Sequence, residues 1–133
     1  MGDKIKALSK YRIEKAIEDL ESAEITLQHN KLAQSTNRSY YAIFHAVRAL
    51  LAFDKFDSKR HSSIIGYFNQ NYIASEKIDK EYYRMLASAF EVRTKSDYQD
   101  FYVVSKYEAE AQLESANKFI EMIQDYIEKN MVG

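Results

Sequence analysis

Between Asn37 and Ala52 the chain reads as apolar on most sides of a helix. Wound at about 3.6 residues per turn, Tyr40, Phe44, Val47 and Leu51 form one stripe, with Ile43 and Leu50 beside it. Ala42, Ala46 and Ala49 make a smooth seam on the opposite flank, where another helix can approach closely. Only one line of polar residues is left: Asn37, Tyr41, His45 and Arg48. A helix apolar on most sides is a buried, central helix, so its polar line must face partners inside the protein rather than bulk water.

The flanking segments follow the same periodicity. Residues 4–29 read as a first long helix, with Ile5, Leu8, Ala16, Ile17, Leu20, Ala23 and Leu27 at helical spacing. The polar stretch 30–34 reads as a turn, and the central helix runs on to about Phe53. Residues 54–57 form a link, and Ser58 is placed to cap a third, short helix with His61, Ile64, Ile65, Phe68 and Tyr72 on one face. A polar connection over 74–78 leads to Asp79 as the next cap. The fourth helix carries Leu86, Phe90, Arg93 and Asp97 along one side.

Phe101 to Val104 has strand propensity but no second strand to pair with, so residues 99–104 read as an extended, packed connection. Ser105 and Glu108 have capping-box spacing. Ala109, Leu113, Ala116, Ile120, Ile123 and Ile127 then mark a last amphipathic helix. The expected fold is all-α, an antiparallel bundle of four long helices plus a short one, in a single domain spanning residues 1–133.

Composition narrows the class. The chain has no proline, and of its three glycines only Gly66 lies in the interior, which suits long helices. Eleven tyrosines and seven phenylalanines exceed what a single small core needs, which favours a symmetric homodimer. A formal net charge of -1 argues against broad electrostatic capture of nucleic acid and leaves room for a local basic patch. Without cysteine there are no disulfides and no thiolate metal sites, in keeping with a reducing cytoplasm. No apolar run follows the N-terminus as in a signal peptide, and no stretch is long enough to cross a bilayer. A cytoplasmic location without membrane contact is expected.

The ionisable residues inside apolar patterns are the candidates for chemistry. Arg93 and Asp97 are four residues apart and pair on one helical face. They form either a structural ion pair or a guanidinium that directs its remaining donors at a phosphate. His45 and His61 lie on packing faces, as core histidines or as site residues, whereas His29 reads as a helix-end charge. Tyr41 shares the polar line with His45. Lys59 and Arg60 precede His61 at a helix start, either as ordinary surface charges or to serve an anion that the free backbone N–H groups favour. No His-x-x-x-His or Glu-x-x-His pair offers a metal site, and no cofactor is expected.

Three segments carry a resemblance. Ser39-Tyr40-Tyr41-Ala42-Ile43-Phe44-His45-Ala46 resembles the Tyr-Tyr-Ala-x-Phe-His-Ala helix of the HEPN family, the helical-bundle domains that often accompany minimal nucleotidyltransferases. Lys59-Arg60-His61-Ser62 resembles its Lys-x-His-Ser turn, and Arg93-x-x-x-Asp97-Tyr98 the Arg…Asp-Tyr ending of its fourth helix. The resemblance covers nearly the whole chain. It implies the fold, a nucleotide- or RNA-related role, a homodimer, and a nucleotidyltransferase partner in a toxin–antitoxin or defence-type pair. Ribonuclease members carry a histidine five to seven positions after the arginine, where this chain has Tyr98, Gln99 and Asp100. The expected activity is therefore binding of an RNA phosphate or nucleotide by Tyr41, His45, Lys59, His61, Arg93, Asp97 and Tyr98. A metal-independent endoribonuclease and a structural dimer with a buried polar network are the alternatives.

Overall fold

Every residue of the alanine seam is buried: Ala42, Ala46 and Ala49 have no exposed surface. A computed structural model, which describes residues 2–132, places them on α2 (Leu32–Leu51), the most buried of its helices. Around it stand α1 (Gly2–Gln28), α4 (Lys80–Tyr98) and α5 (Lys106–Asn130), all three packed on α2. The short α3 (His61–Phe68) extends into a wider turn over Asn69–Ile73. The protein is all-α, with no strand among the described residues.

The helix ends explain the connections. Asn30 takes a left-handed conformation (φ 58°) and closes α1 with two back-bonds, Asn30 N to Leu27 O and Lys31 N to Thr26 O. This compact stop lets α2 begin at Leu32, earlier than the polar composition suggests. Lys55 (φ 57°) ends α2 and its following 3₁₀ turn (Ala52–Asp54) with the same pair of bonds. Asp79 caps α4 by accepting from Glu81 N, and Ser105 and Glu108 form a reciprocal capping box at α5, both as expected.

α1 and α2 run antiparallel. Ser35 Oγ donates to Ala23 O (2.8 Å), Arg38 reaches Asp19, and Arg12 reaches Arg48 O (2.9 Å). α1 buries Ser9, Arg12, Ala16 and Ala23, so its core stripe is narrower and more polar than its apolar residues imply. Leu8 and Ile17 sit on the flanks of that stripe and are exposed. Aromatic and aliphatic residues fill the other side of α2, where Phe68, Leu86, Phe119, Ile120 and Ile123 close the core around Tyr40, Ile43, Leu50 and Leu51.

The connection 99–104 opens on a turn, with Tyr102 N bonded to Gln99 O (3.4 Å), and is mostly unpacked, so it is neither extended throughout nor packed as expected. Only Val104 is buried, while Phe101 and Val103 are exposed. Phe101 is left-handed (φ 64°), and Tyr102 Oη donates to Glu108 (2.6 Å), so the segment is held from one side and turns its apolar side chains outward.

The alanine seam gives a direct test. Ala46→Leu inserts three carbons where no space exists and should cost about 1–3 kcal/mol of stability in urea unfolding. An unchanged midpoint would mean that α2 is not closely packed on this side.

Candidate functional site

Tyr40 is fully buried, and its hydroxyl lies 2.7 Å from Nδ1 of His61. This bond ties the middle of α2 to the first residue of α3. The His61 ring lies flat on Phe44, with centroids 4.2 Å apart. Burial, reinforced by the charges of Arg93 and Arg48, lowers the His61 pKa from 6.5, so the ring is neutral at neutral pH. Burial raises the Tyr40 pKa above its ordinary value, which keeps the phenol protonated. With that hydroxyl as donor, Nδ1 accepts and the imidazole proton sits on Nε2.

α3 itself begins later than expected. Arg60, not Ser58, occupies the cap position, and no side chain caps the helix. Ser58 Oγ instead accepts from Arg60 N (3.1 Å), while Asp57 accepts from Ser58 N (2.8 Å). These local bonds compete with a cap and push the helix start to His61.

Arg93 comes from α4 and packs over both tyrosines, 5.6 Å from the Tyr40 ring centre and 5.4 Å from that of Tyr41. Its Nη2 donates to Tyr41 Oη (3.2 Å). Nε stands 3.0 Å from Asp97 Oδ2, yet its N–H is not directed at that oxygen and finds no other acceptor. The pair is thus an electrostatic contact rather than an aligned hydrogen bond, and the guanidinium is only partly neutralised. Arg38 approaches Tyr41 at 5.1 Å and pairs with Asp19 at 2.9 Å.

One turn along α2, His45 Nε2 is 3.6 Å from Asp19 Oδ2, and Nδ1 is buried without a partner. Burial comes first, followed by the charges of Arg48, Lys15, Arg38 and Arg12; together they bring the His45 pKa down to about 4. At neutral pH this contact is therefore not an ion pair. Burial raises the Asp19 pKa against the pull of Arg38.

At the end of the polar line, Arg48 Nη2 and Arg12 Nη2 meet on Asp57 Oδ2, at 2.9 and 3.1 Å. Burial opposes ionisation of Asp57, but the Arg48 hydrogen bond, the Ser58 N–H and the two guanidiniums outweigh it and lower its pKa.

Two openings flank this polar line. A cleft of about 590 Å³ is lined by Tyr41, Phe44, His45, Arg48, Asp57, Ser58, Lys59 and His61. A smaller one of about 290 Å³ is lined by Lys15, Glu18, Asp19, Arg38, Tyr41 and His45. Tyr41 and His45 form the wall between them.

The expected residues are thus distributed unevenly. Tyr41, His61 and Arg93 gather from three helices, His45 joins through its packing against Tyr41, and Lys59 sits at the exposed rim. Asp97 touches Arg93 but faces a separate groove with Asn37 and Arg38. Tyr98 is exposed at the end of α4, apart from the cleft residues. Sequence reasoning took Tyr40 as core alone and missed Arg12, Asp19 and Asp57. Of these only Arg12 left a signal: it shares the helical stripe of Ser9, Ala16 and Ala23.

Residues 9–126 match the HEPN domain family, a span that includes all three helices meeting at this site. The chain belongs to the HEPN family. Its relatives include the UPF0332 protein of Thermotoga maritima, 29% identical over 128 residues and covering 96% of each chain. Two proteins of Methanocaldococcus jannaschii bear the name "Putative toxin". One is 30% identical over 90% of this chain and 82% of its own, the other 31% identical over 84% and 82%. No helix of this HEPN protein is long and apolar enough to cross a membrane, among the described residues.

His45 makes the site pH-sensitive. Its folded pKa of about 4 lies below the 6.5 of the free side chain, so protonation favours unfolding. The stability it contributes is complete above 6.5 and is lost as pH falls toward 4. Between pH 7 and pH 5 the His45 contribution should fall by about 2 kcal/mol. Urea unfolding of the wild type against His45→Gln isolates it, because the opposite effect of Asp19 is common to both. Equal pH slopes would show that His45 is not desolvated.

Proposed function

We propose that this HEPN protein binds a phosphate-bearing ligand, a nucleotide or a stretch of RNA, in the cleft between Arg93, Tyr41 and the Lys59–His61 helix start. On this reading it works in the cytoplasm as one half of a toxin–antitoxin or defence-type pair, with a minimal nucleotidyltransferase as its partner protein. The observation that carries the binding reading is the state of Arg93. Its charge is stacked on two phenols and poorly aligned with Asp97, and although Nε is buried the side chain keeps 19% exposure, so its outer donors can meet an outside anion. The names of the M. jannaschii relatives support a toxin-like role.

Cleavage on this reading is weak or absent. RNA cleavage through the 2′-hydroxyl needs a base and an acid that titrate near neutral pH, and a cation for the developing charge. Arg93 supplies the cation. The histidine that follows the arginine in ribonuclease members is missing, and His45, with its pKa near 4, is a poor substitute. His61 is the better placed imidazole and keeps the metal-independent endoribonuclease as the second reading.

The protein acts as a homodimer on this reading, and the exposed Tyr98, Phe101, Val103 and Tyr107 supply the apolar surface for it. Light scattering should return twice the 15.6 kDa chain mass. A monomer at tens of micromolar (on the order of normal working concentration) would remove the dimer.

Fluorescence anisotropy with a labelled oligoribonucleotide tests the binding reading. Binding should be modest and salt-sensitive, because few phosphates are contacted. Arg93→Ala should weaken it by about tenfold, the loss of one charge-assisted hydrogen bond. Metal-free incubation should leave the RNA intact. Robust cleavage that disappears in Arg93→Ala and His61→Ala would replace binding by catalysis; no binding at low salt would leave a structural role for the polar network.

A further inference from the structure

The arginine pair at the far end of the polar line has no part in the Arg93 site, and its geometry is unusual. Arg12 is 7% exposed although it carries a charge and lies on the packing face of α1. Its guanidinium is drawn toward Arg48, whose backbone carbonyl it bonds and whose charge it must tolerate. Burial first, and the charge of Arg48 second, lower the Arg12 pKa: enclosing this guanidinium is costly, and its neighbour adds to the cost. A single anion relieves it. Asp57 Oδ2 accepts from both guanidiniums, and Oδ1 takes Nε of Arg48 (3.3 Å) as well. Arg48 thus closes on the carboxylate as a fork and Arg12 adds a single N–H to the same oxygen, an arrangement that can equally hold a phosphate oxygen.

That carboxylate does not come from a helix. Asp57 sits in the irregular link between the end of α2 and α3, and its side chain is 49% exposed. The link is anchored on either side of the stretch 57–60. Before it, Asp54 accepts from Tyr72 Oη (2.7 Å) and Phe56 stacks on Tyr67 (4.1 Å). After it, His61 is fixed by Tyr40 and Phe44. Between the anchors, the bonds among Asp57, Ser58 and Arg60 are local, the Arg60 carbonyl accepts from Ser63 and Ile64 N–H of α3, and the arginine contacts of Asp57 tie the stretch to α1 and α2. The cleft of about 590 Å³ opens on Arg48 and Asp57 themselves.

We propose that Arg12 and Arg48 form an oxyanion site for a phosphate group, plugged in the free chain by Asp57. An arriving phosphate takes the place of the carboxylate and releases residues 57–60, with Lys59 and Arg60, from α1 and α2. Asp57 is then an internal competitor: the site binds only in the fraction of molecules whose plug is open, and its apparent affinity is lowered by that fraction. The inference rests on different guanidiniums from the Arg93 reading, shares only Lys59 among the cleft cations with it, and is tested separately from it.

Calorimetric titration with pyrophosphate tests it on the full chain. Asp57→Asn keeps the shape of the plug and removes its charge, and it should bind pyrophosphate roughly tenfold more tightly than the wild type, as for a site open about one-tenth of the time. Adding Arg12→Gln to that variant should cancel the gain. A parallel titration with an oligoribonucleotide lacking terminal phosphates distinguishes the source: a gain with pyrophosphate alone assigns a terminal phosphate, a gain with both assigns the RNA backbone. In the wild type, pyrophosphate should speed amide hydrogen exchange over 57–60, a readout that does not depend on the variant folding. If folded Asp57→Asn binds no more tightly, or if pyrophosphate leaves exchange over 57–60 unchanged or slower, Asp57 is a structural clip and the proposal is wrong. Arg93→Ala serves as the control: loss of oligonucleotide binding there, with no gain in Asp57→Asn, would sustain the Arg93 reading and remove this one.

Discussion

The enclosure of α2 is the constraint from which the site follows. A helix covered by α1, α3, α4 and α5 leaves its polar line of Asn37, Arg38, Tyr41, His45 and Arg48 only partly open to water. An unpaired buried charge costs several kcal/mol. The flanking elements therefore have to bring partners: Asp19 from α1, His61 from α3, Arg93 from α4 and Asp57 from the link. What looks like a gathering of functional residues is first the solution to a packing problem. The solution is incomplete at Ser39 Oγ, His45 Nδ1 and Arg93 Nε, which are buried without aligned partners.

The charge balance around the two openings differs from that of the chain. Lys15, Arg38, Arg48 and Lys59 line them, with Arg12 and Arg93 close behind, against the carboxylates of Glu18, Asp19 and Asp57. A protein of net charge -1 thus presents a positive cleft, a local property that the overall charge hides. The same surplus helps burial to keep both imidazoles neutral. For His45 and His61 desolvation is the larger cause and the arginines add to it, so neither histidine carries charge at neutral pH. Binding an anion would reverse the second effect without touching the first.

Much of this fold is written in hydrophobic spacing. The apolar stripe, the alanine seam and the polar line of α2 could all be read from the sequence, because a central helix repeats its burial pattern every turn. Asp79 and the Ser105–Glu108 box were legible for a similar reason: capping chemistry is local. Three features were not. Arg12 is buried although arginine ordinarily marks a surface position, and only its partners on α2 and the link explain why. Leu8 and Ile17 are apolar but lie beside the contact stripe, which spacing alone does not resolve. Phe101 combines an apolar side chain with a left-handed backbone, and nothing in its neighbours in sequence announces either exposure or strain. The family motifs lie on the helices whose side chains meet around Tyr41. They did not separate Arg93, which contacts Tyr41, from Tyr98, which is exposed at the end of α4.

The central claim is that the polar line of α2, closed by His61 and Arg93, receives an anion. Ring nitrogen NMR shifts of the histidines, followed against pH with and without a short oligoribonucleotide, test it most directly. The account predicts that His61 titrates below 6.5 in the free chain and rises on binding, because an anion beside it favours the imidazolium. A His61 that titrates at or above 6.5 in the free chain, or one that the ligand leaves unmoved, would contradict it.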